Sequence, residues 1–141
     1  MTDLSADIAA LPDRTLLVLD DDAPLRTRLG RALEQRGFET TLVGSVAEAL
    51  ASVKSHPPAY AVLDMRLEDG SGLKVVEAVR EARPDAKVVM LTGYGNIATA
   101  VAAVKSGAID YLSKPADADD VARALLARKD ETPAPPENPM S

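Results

Sequence analysis

Short apolar runs alternate with stretches of helical periodicity along most of the chain, and this alternation limits the possible folds more than any other feature. The first run, Thr15–Leu19, is uninterrupted, which is typical of a strand covered on both faces of a sheet. Further strands are predicted at Glu39–Val43, Tyr60–Leu63, Lys87–Leu91 and Ile109–Leu112. Alternation of this kind predicts an α/β fold with a doubly wound five-stranded parallel sheet, because right-handed crossovers place helices on both faces.

Five helices are predicted between and after these strands from the spacing of apolar residues. The residues expected to face the sheet are Leu25, Leu29, Ala32 and Leu33; Val46, Ala49, Leu50 and Val53; Leu73, Val76 and Val79; Ile97, Val101 and Val104; and Val121, Ala122 and Leu125. Ser45 with Glu48 forms a capping-box pattern, and Asp117 is placed to cap the last helix. Gly37 and Gly107 are expected to end the first and fourth helices, because glycine adopts the left-handed conformation common there.

Composition and charge exclude several functional classes. The chain has 22 acidic and 16 basic residues, a net charge of −6 and no basic cluster, so direct binding to nucleic acid is not expected. It has no cysteine, which excludes disulfides and thiolate metal sites, and its one histidine, His56, is interpreted as a solvated loop side chain. Because residues 1–13 do not resemble a signal peptide and no stretch reaches membrane-spanning length, we expect a cytoplasmic protein without membrane contact.

Acidic residues follow two of the predicted strands. Asp20 and Asp21 come directly after the first strand, and Asp64 directly after the third. By analogy with flavodoxin-like proteins we expect the strand order 2-1-3-4-5, in which ligands bind at the carboxyl ends of strands 1 and 3. Carboxylates that meet there repel one another unless a cation joins them, and Mg²⁺ prefers oxygen ligands of this kind. Zinc is disfavoured because no histidine or cysteine is positioned to bind it.

Thr92 and Lys114 end the fourth and fifth predicted strands, so we expect both at the same edge of the sheet as the aspartates. Lysine supplies a fixed positive charge to a phosphate, and a hydroxyl donates a hydrogen bond to one of its oxygens. With a cation opposite, these groups are suited to in-line transfer of a phosphoryl group onto a carboxylate. Each residue alone has a simpler interpretation, as a solvated turn, a helix cap or a surface charge, so the hypothesis depends on their joint occurrence.

These motifs resemble the response-regulator receiver family. The matching segments are LLVLDDD, AVLDMRLEDGSGL, VVMLTGYG and DYLSKP, within a resemblance that covers residues 14–129. It implies a CheY-like fold and a phosphorylatable domain of a two-component system, a signalling switch instead of a metabolic enzyme. By this resemblance Asp64 is the phospho-acceptor. Asp20 and Asp21 correspond to the family's acidic pair, which binds Mg²⁺ together with Asp64, and of the pair Asp21 is the more direct ligand.

The resemblance also implies roles for residues beyond the aspartates. The backbone carbonyl of Arg66 becomes a further Mg²⁺ ligand, Lys114 the phosphate-binding cation, Thr92 the switch hydroxyl and Tyr111 the switch aromatic. Phosphorylation is then expected to pull Thr92 inward and free space for Tyr111. The face formed by the fourth predicted helix, the fifth strand and the fifth helix would change, which permits homodimerisation or release of an output domain.

Glu68 departs from the common receiver pattern, in which proline often stands four residues after the phospho-acceptor. The segments RLEDGSGL, GYGNIATAVAAVKSGAIDYLSKPADADDV and PPENPMS resemble the RegA/PrrA/ActR group of redox- and acid-responsive regulators. In that group the phosphoryl donor is a membrane sensor histidine kinase of the RegB/PrrB/ActS type. The output domain of the group is a Fis-type helix-turn-helix that binds DNA.

Three segments are therefore predicted: an N-terminal tail at 1–13, a receiver domain at 14–129 and a proline-rich linker at 130–141. We expect the linker to lead to a DNA-binding output domain that this chain does not contain. This chain alone is then not expected to bind promoters, whereas the full-length protein would bind DNA.

Three other functions fit part of this residue pattern. A phosphatase of the haloacid dehalogenase type would use Asp20 and Asp22 as a DxD motif, with Thr92 and Lys114 as its later motifs. That scheme leaves Asp64 without a role and expects a further acidic pair after the lysine. A flavodoxin-like cofactor binder requires a phosphate loop after the first strand, where the acidic residues would repel a phosphate. A protein-interaction module with a degenerate phosphorylation site is opposed only by the intact set of site residues.

Overall fold

A computed structural model describes residues 4–64, 66–67, 70–92, 105, 110–113 and 117–126 of the chain. The helices are α1 (Leu4–Ala9), α2 (Ala23–Gln35), α3 (Val46–Ser55), α4 (Gly72–Ala82) and α5 (Ala118–Leu126). The strands are β1 (Thr15–Leu19), β2 (Glu39–Val43), β3 (Tyr60–Asp64), β4 (Arg66–Leu67), β5 (Gly70–Ser71), β6 (Lys87–Thr92) and β7 (Asp110–Ser113). The helix predicted around Ile97–Val104 and the linker predicted at 130–141 lie outside the described residues.

Five strands form one parallel sheet in the order β2-β1-β3-β6-β7. This confirms the doubly wound fold and the predicted order 2-1-3-4-5. The register places Leu19 beside both Val43 and Leu63, and it places Asp64 beside Leu91. The carboxyl ends of β1 and β3 therefore lie next to each other, as the site requires.

The two faces of the sheet carry separate apolar clusters, because successive side chains of a strand point to opposite faces. Leu17 and Leu19 of β1 pack with α3 and α4, whereas Leu16 and Val18 pack with α2 and α5. All four of these side chains are at most 1% exposed. Burial on both faces explains why β1 is an uninterrupted apolar run.

Helix α1 differs from the predicted N-terminal tail. Its Ile8 is fully buried and belongs to the cluster formed with α2 and α5. Gly37, which ends α2 with a φ of +118°, lies directly against Ile8: a Cβ atom there would be 3.0 Å from the Ile8 Cγ2. Part of the segment predicted as a tail thus completes the core on one face.

Most of the predicted helix features are confirmed. The Ser45 hydroxyl accepts a hydrogen bond from the Glu48 N–H at 3.1 Å and caps α3, and the Asp117 carboxylate accepts one from the Asp120 N–H at 2.8 Å ahead of α5. The prediction that Leu50 faces the sheet was wrong, since its side chain is 37% exposed.

The exposure of Leu50 follows from its position on α3. At 100° per residue, Ala49 and Leu50 lie on opposite sides of the line through Val46 and Val53. Ala49 is fully buried together with Val53, whose exposure is 3%. Ala49 belongs to the apolar cluster formed with the sheet and α4, whereas Leu50 does not, so Leu50 lies at the rim of that cluster. No helix among the described residues is both long enough and apolar enough to cross a membrane.

Candidate functional site

Three carboxylates meet at the carboxyl ends of β1 and β3. Asp20 and Asp21 follow β1 directly, and Asp64 is the last residue of β3. One carboxylate oxygen from each of the three lies within 4.8 Å of the other two. Asp20 is 1% exposed and Asp64 is 6% exposed, whereas Asp21 is exposed to solvent. The structure therefore brings together the acidic residues that the sequence predicted to converge.

Backbone hydrogen bonds fix the position of Asp20. Its N–H donates to the carbonyl of Val43 at 3.2 Å, which extends the β1–β2 pairing by one residue. Its side-chain Oδ1 accepts a hydrogen bond from the N–H of Asp22 at 2.9 Å. The loop after β1 is thus turned so that Asp20 stays buried while Asp21 faces solvent.

Asp22 has a different task from its two acidic neighbours. Its extended backbone is that of a helix N-cap, and its carboxylate accepts a hydrogen bond from the Leu25 N–H at 3.1 Å. Proline in the first turn of α2 adds a residue suited to a helix start. The third aspartate of the DDD run therefore starts α2 and does not belong to the carboxylate cluster.

Gly72 supports the part of the site that contains Asp64, a role that was not predicted from the sequence. The hairpin of β4 and β5 pairs Arg66 with Ser71 and returns the chain to Asp64. A Cβ atom at Gly72 would overlap the backbone carbonyl oxygen of Asp64 and would also approach the Met90 side chain at 3.1 Å. Only glycine permits α4 to begin this close to Asp64. A glycine eight residues after the acidic strand end was the available signal.

The remaining predicted site residues are described only in part. The backbone of Thr92 ends β6 opposite Ser113, one residue beyond the Leu91 that pairs with Asp64. Tyr111 lies in β7 opposite Met90, and Arg66 begins β4. The strand end of Thr92 is thus at the same edge of the sheet as Asp64. Lys114 and Glu68 lie outside the described residues.

The carboxylate cluster fits a hard divalent cation. All three donors are oxygens, and two of them belong to buried carboxylates on adjacent strands. Buried carboxylates in contact are costly unless an opposite charge compensates them. The set lacks nitrogen and sulfur donors, which favours Mg²⁺ or Ca²⁺ over zinc.

Comparison with known proteins gives consistent results. The family model for the response regulator receiver domain matches residues 16–126. The chain is 63% identical over 129 residues to the photosynthetic apparatus regulatory protein RegA of Rhodobacter capsulatus, covering 92% of this chain and 70% of RegA. It is 58% identical over 130 residues to the acid tolerance regulatory protein ActR of Rhizobium meliloti, covering 92% of this chain and 67% of ActR.

Solved structures share the fold. A response regulator protein from Burkholderia pseudomallei, crystallised with a phosphorylated aspartic acid, a calcium ion and citrate, is 37% identical with a TM-score of 0.78. That match covers 82% of this chain and 68% of the other. A CheY-like receiver domain protein from Methanospirillum hungatei is 28% identical with a TM-score of 0.73, covering 78% of this chain and 88% of the other.

Proposed function

Because this chain belongs to the response regulator receiver family and is homologous to the RegA and ActR regulators, we propose that Asp64 accepts a phosphoryl group from a sensor histidine kinase. The observation that carries the proposal is the position of Asp64: a buried carboxylate at a strand end, within 4.8 Å of two further acids. The Burkholderia pseudomallei relative with a phosphorylated aspartic acid supports the same chemistry.

The transfer is a displacement at phosphorus. One carboxylate oxygen of Asp64 attacks the phosphorus atom of a phosphohistidine on the kinase, an O–P bond forms and the P–N bond breaks. The electron pair of that bond returns to the imidazole nitrogen, and the product is an acyl phosphate on Asp64. Lys114 then pairs with the phosphoryl oxygens, and the Thr92 hydroxyl donates a hydrogen bond to one of them.

Asp20, Asp21 and Asp64, together with the backbone carbonyl of Arg66, would hold Mg²⁺. A bound Mg²⁺ supplies positive charge that offsets the charge of the carboxylates and of the transferred group. The burial of Asp20 and Asp64 strengthens this requirement, since two adjacent buried carboxylates have little water to screen them. The domain takes part in its own phosphorylation in this way without turning over a metabolic substrate.

The acyl phosphate adds about −1.5 to −2 charges at this edge of the sheet. Thr92 moves toward it and Tyr111 fills the space that is freed, so the face that includes β7 and α5 changes. This face then mediates homodimerisation or the release of a Fis-type DNA-binding domain in the full-length protein. The kinase is a membrane protein of the RegB/PrrB/ActS type that signals to a cytoplasmic receiver, in redox- or acid-responsive gene regulation.

The role of Asp22 supports this function over a phosphatase of the haloacid dehalogenase type. Such a phosphatase requires Asp20 and Asp22 to act together, but the Asp22 carboxylate caps α2 by accepting from Leu25. The carboxylate cluster contains Asp64 and not Asp22.

Intact-mass measurement tests the proposal. Wild type, Asp64→Asn and Asp85→Asn are incubated with a small phosphodonor and Mg²⁺. Asp85 is a suitable control because its side chain is 82% exposed and lies before β6, at the opposite end of the sheet. We expect one added phosphoryl group on wild type and on Asp85→Asn, none on Asp64→Asn, and none on any protein in excess chelator. A phosphoryl group on Asp64→Asn, or on no protein, would refute the assignment.

A further inference from the structure

Arg26 of α2 contacts the loop that carries two of the clustered carboxylates. Its Nη1 donates a hydrogen bond to the backbone carbonyl of Asp20 at 2.7 Å. The Asp20 N–H donates a hydrogen bond to the backbone carbonyl of Val43. Both backbone polar groups of Asp20 therefore have partners from outside the loop, and the carbonyl accepts a hydrogen bond from a charged side chain.

Gly44 provides the space in which the Arg26 guanidinium lies. A Cβ atom at Gly44 would be 2.7 Å from the Arg26 Nη1 and 3.3 Å from its Cζ. The Gly44 N–H donates to the Glu48 Oε1 at 2.7 Å, and that oxygen is 3.6 Å from the same Cβ position. A side chain at Gly44 would thus displace Arg26 from Asp20, even though Gly44 is not part of the carboxylate cluster.

We infer that Arg26 is a positioning residue for the divalent-cation site, and that Gly44 is required because it leaves room for Arg26. The inference rests on the proposed function, since it assigns the support of the same site. By holding the Asp20 carbonyl, Arg26 fixes the direction in which the Asp20 and Asp21 carboxylates leave β1. A cation then binds to a cluster that is already arranged, and less conformational freedom is lost on binding.

The charge of Arg26 makes the sign of its effect informative. A positive charge near a cation site opposes cation binding, so removing that charge would tighten binding if electrostatics alone mattered. Loss of positioning has the opposite effect and weakens binding. Hydrogen bonds from charged donors are among the stronger ones in proteins, and we expect the loss of positioning to exceed the electrostatic gain.

Two variants separate positioning from charge. Arg26→Gln removes both the guanidinium group and its charge. Gly44→Ala keeps the charge but displaces the guanidinium from the Asp20 carbonyl. Arg31→Gln is the matched control, because Arg31 is an exposed residue of the same helix. Mg²⁺ affinity is measured by isothermal titration calorimetry on the full chain. Phosphorylation of Asp64 by a small phosphodonor is measured as a function of Mg²⁺ concentration.

We expect Arg26→Gln and Gly44→Ala each to weaken Mg²⁺ binding about tenfold, in line with the loss of one charge-assisted hydrogen bond. The Mg²⁺ concentration at half-maximal phosphorylation should rise by the same factor, while the rate at saturating Mg²⁺ stays near that of wild type. A merely structural role would lower metal-free stability without this selective change in Mg²⁺ dependence. Arg31→Gln should match wild type, and Gly44→Ala should add little in the Arg26→Gln background.

Unchanged or tighter Mg²⁺ binding in Arg26→Gln would overturn the inference, as would unchanged binding in Gly44→Ala. In either case a phosphorylated wild type leaves the proposed function intact. Failure of wild type to bind Mg²⁺ would instead refute the proposed function, and the inference with it.

Discussion

Asp13 connects the segment after α1 to the end of α4, and its replacement by asparagine tests whether this segment belongs to the folded domain. The Asp13 Oδ2 accepts a hydrogen bond from the Arg83 Nη1 at 2.7 Å within an ion pair. Its Oδ1 accepts from the Thr15 N–H at 3.0 Å and from the Thr15 hydroxyl at 2.7 Å. Asparagine keeps an oxygen for Thr15 but loses the charge that pairs with Arg83.

The size of the expected loss in unfolding free energy follows from the pKa of Asp13. The hydrogen bond from Arg83, with those from Thr15, lowers the pKa of this carboxyl from 3.8 to about 2. At about 1.4 kcal/mol per pKa unit, full expression of the shift would stabilise the fold by about 2 kcal/mol. The Asp13 and Arg83 side chains are 36% and 28% exposed, so solvent screens the pair. We therefore expect Asp13→Asn to lower the free energy of unfolding by about 1 kcal/mol at neutral pH.

The pH dependence has a definite sign. A carboxyl whose pKa is lower in the folded state stabilises the protein above its unfolded pKa, and this contribution is lost as the pH falls from 3.8 towards about 2. Urea unfolding should thus give a difference between wild type and Asp13→Asn that is constant near neutral pH and shrinks below about pH 4. Asp85→Asn is the control, because Asp85 is 3.9 Å from the same arginine but 82% exposed. A difference that grows on acidification, or equal losses in both variants, would refute the reasoning.

Two further substitutions test the core and the site. Ile8→Ala should lower the free energy of unfolding by about 2 kcal/mol, since the Ile8 side chain is fully buried. The control Asp7→Asn, on the exposed face of α1, should have little effect. Equal effects of the two substitutions in urea unfolding would show that α1 does not pack as described. Gly72→Ala should cost about 1–3 kcal/mol and slow phosphorylation, because the new methyl group overlaps the Asp64 carbonyl. Gly30→Ala is the control, since the methyl group there meets only the end of the partly exposed Leu42 side chain. Equal losses of phosphorylation rate in the two variants would contradict the role of Gly72.

The sheet was predictable because both of its faces are buried. Burial on both faces requires an apolar residue at almost every position of a strand, and β1, which is buried from Leu16 to Leu19, has the bounds predicted for it. The edge strand β2 also has its predicted bounds, although only Val43 of this strand is buried. The convergence of Asp20 and Asp64 was predictable for a related reason, since the carboxyl ends of neighbouring parallel strands lie at the same edge. Neither prediction requires knowledge of side-chain packing.

Features that depend on contacts between distant segments were not predictable. Helix α1 has six residues, and among those whose side chains the structure describes Ile8 is the one in the core, which is too short a pattern to show a periodic stripe. The role of Gly72 was not predictable, because its closeness to Asp64 depends on the path of the β4–β5 hairpin. Arg26 gave no signal because its partner is a backbone carbonyl, which no sequence pattern records.

The most direct measurement of the central claim is the location of the phosphoryl group in the chain. Wild type is treated with a small phosphodonor and Mg²⁺, the acyl phosphate is reduced with borohydride, and the peptides are sequenced by tandem mass spectrometry. Reduction converts a phosphorylated aspartate to homoserine, which marks the acceptor permanently. We predict homoserine at position 64 and unmodified aspartate at positions 20 and 21. Homoserine at either of those positions, with aspartate retained at 64, would contradict the account.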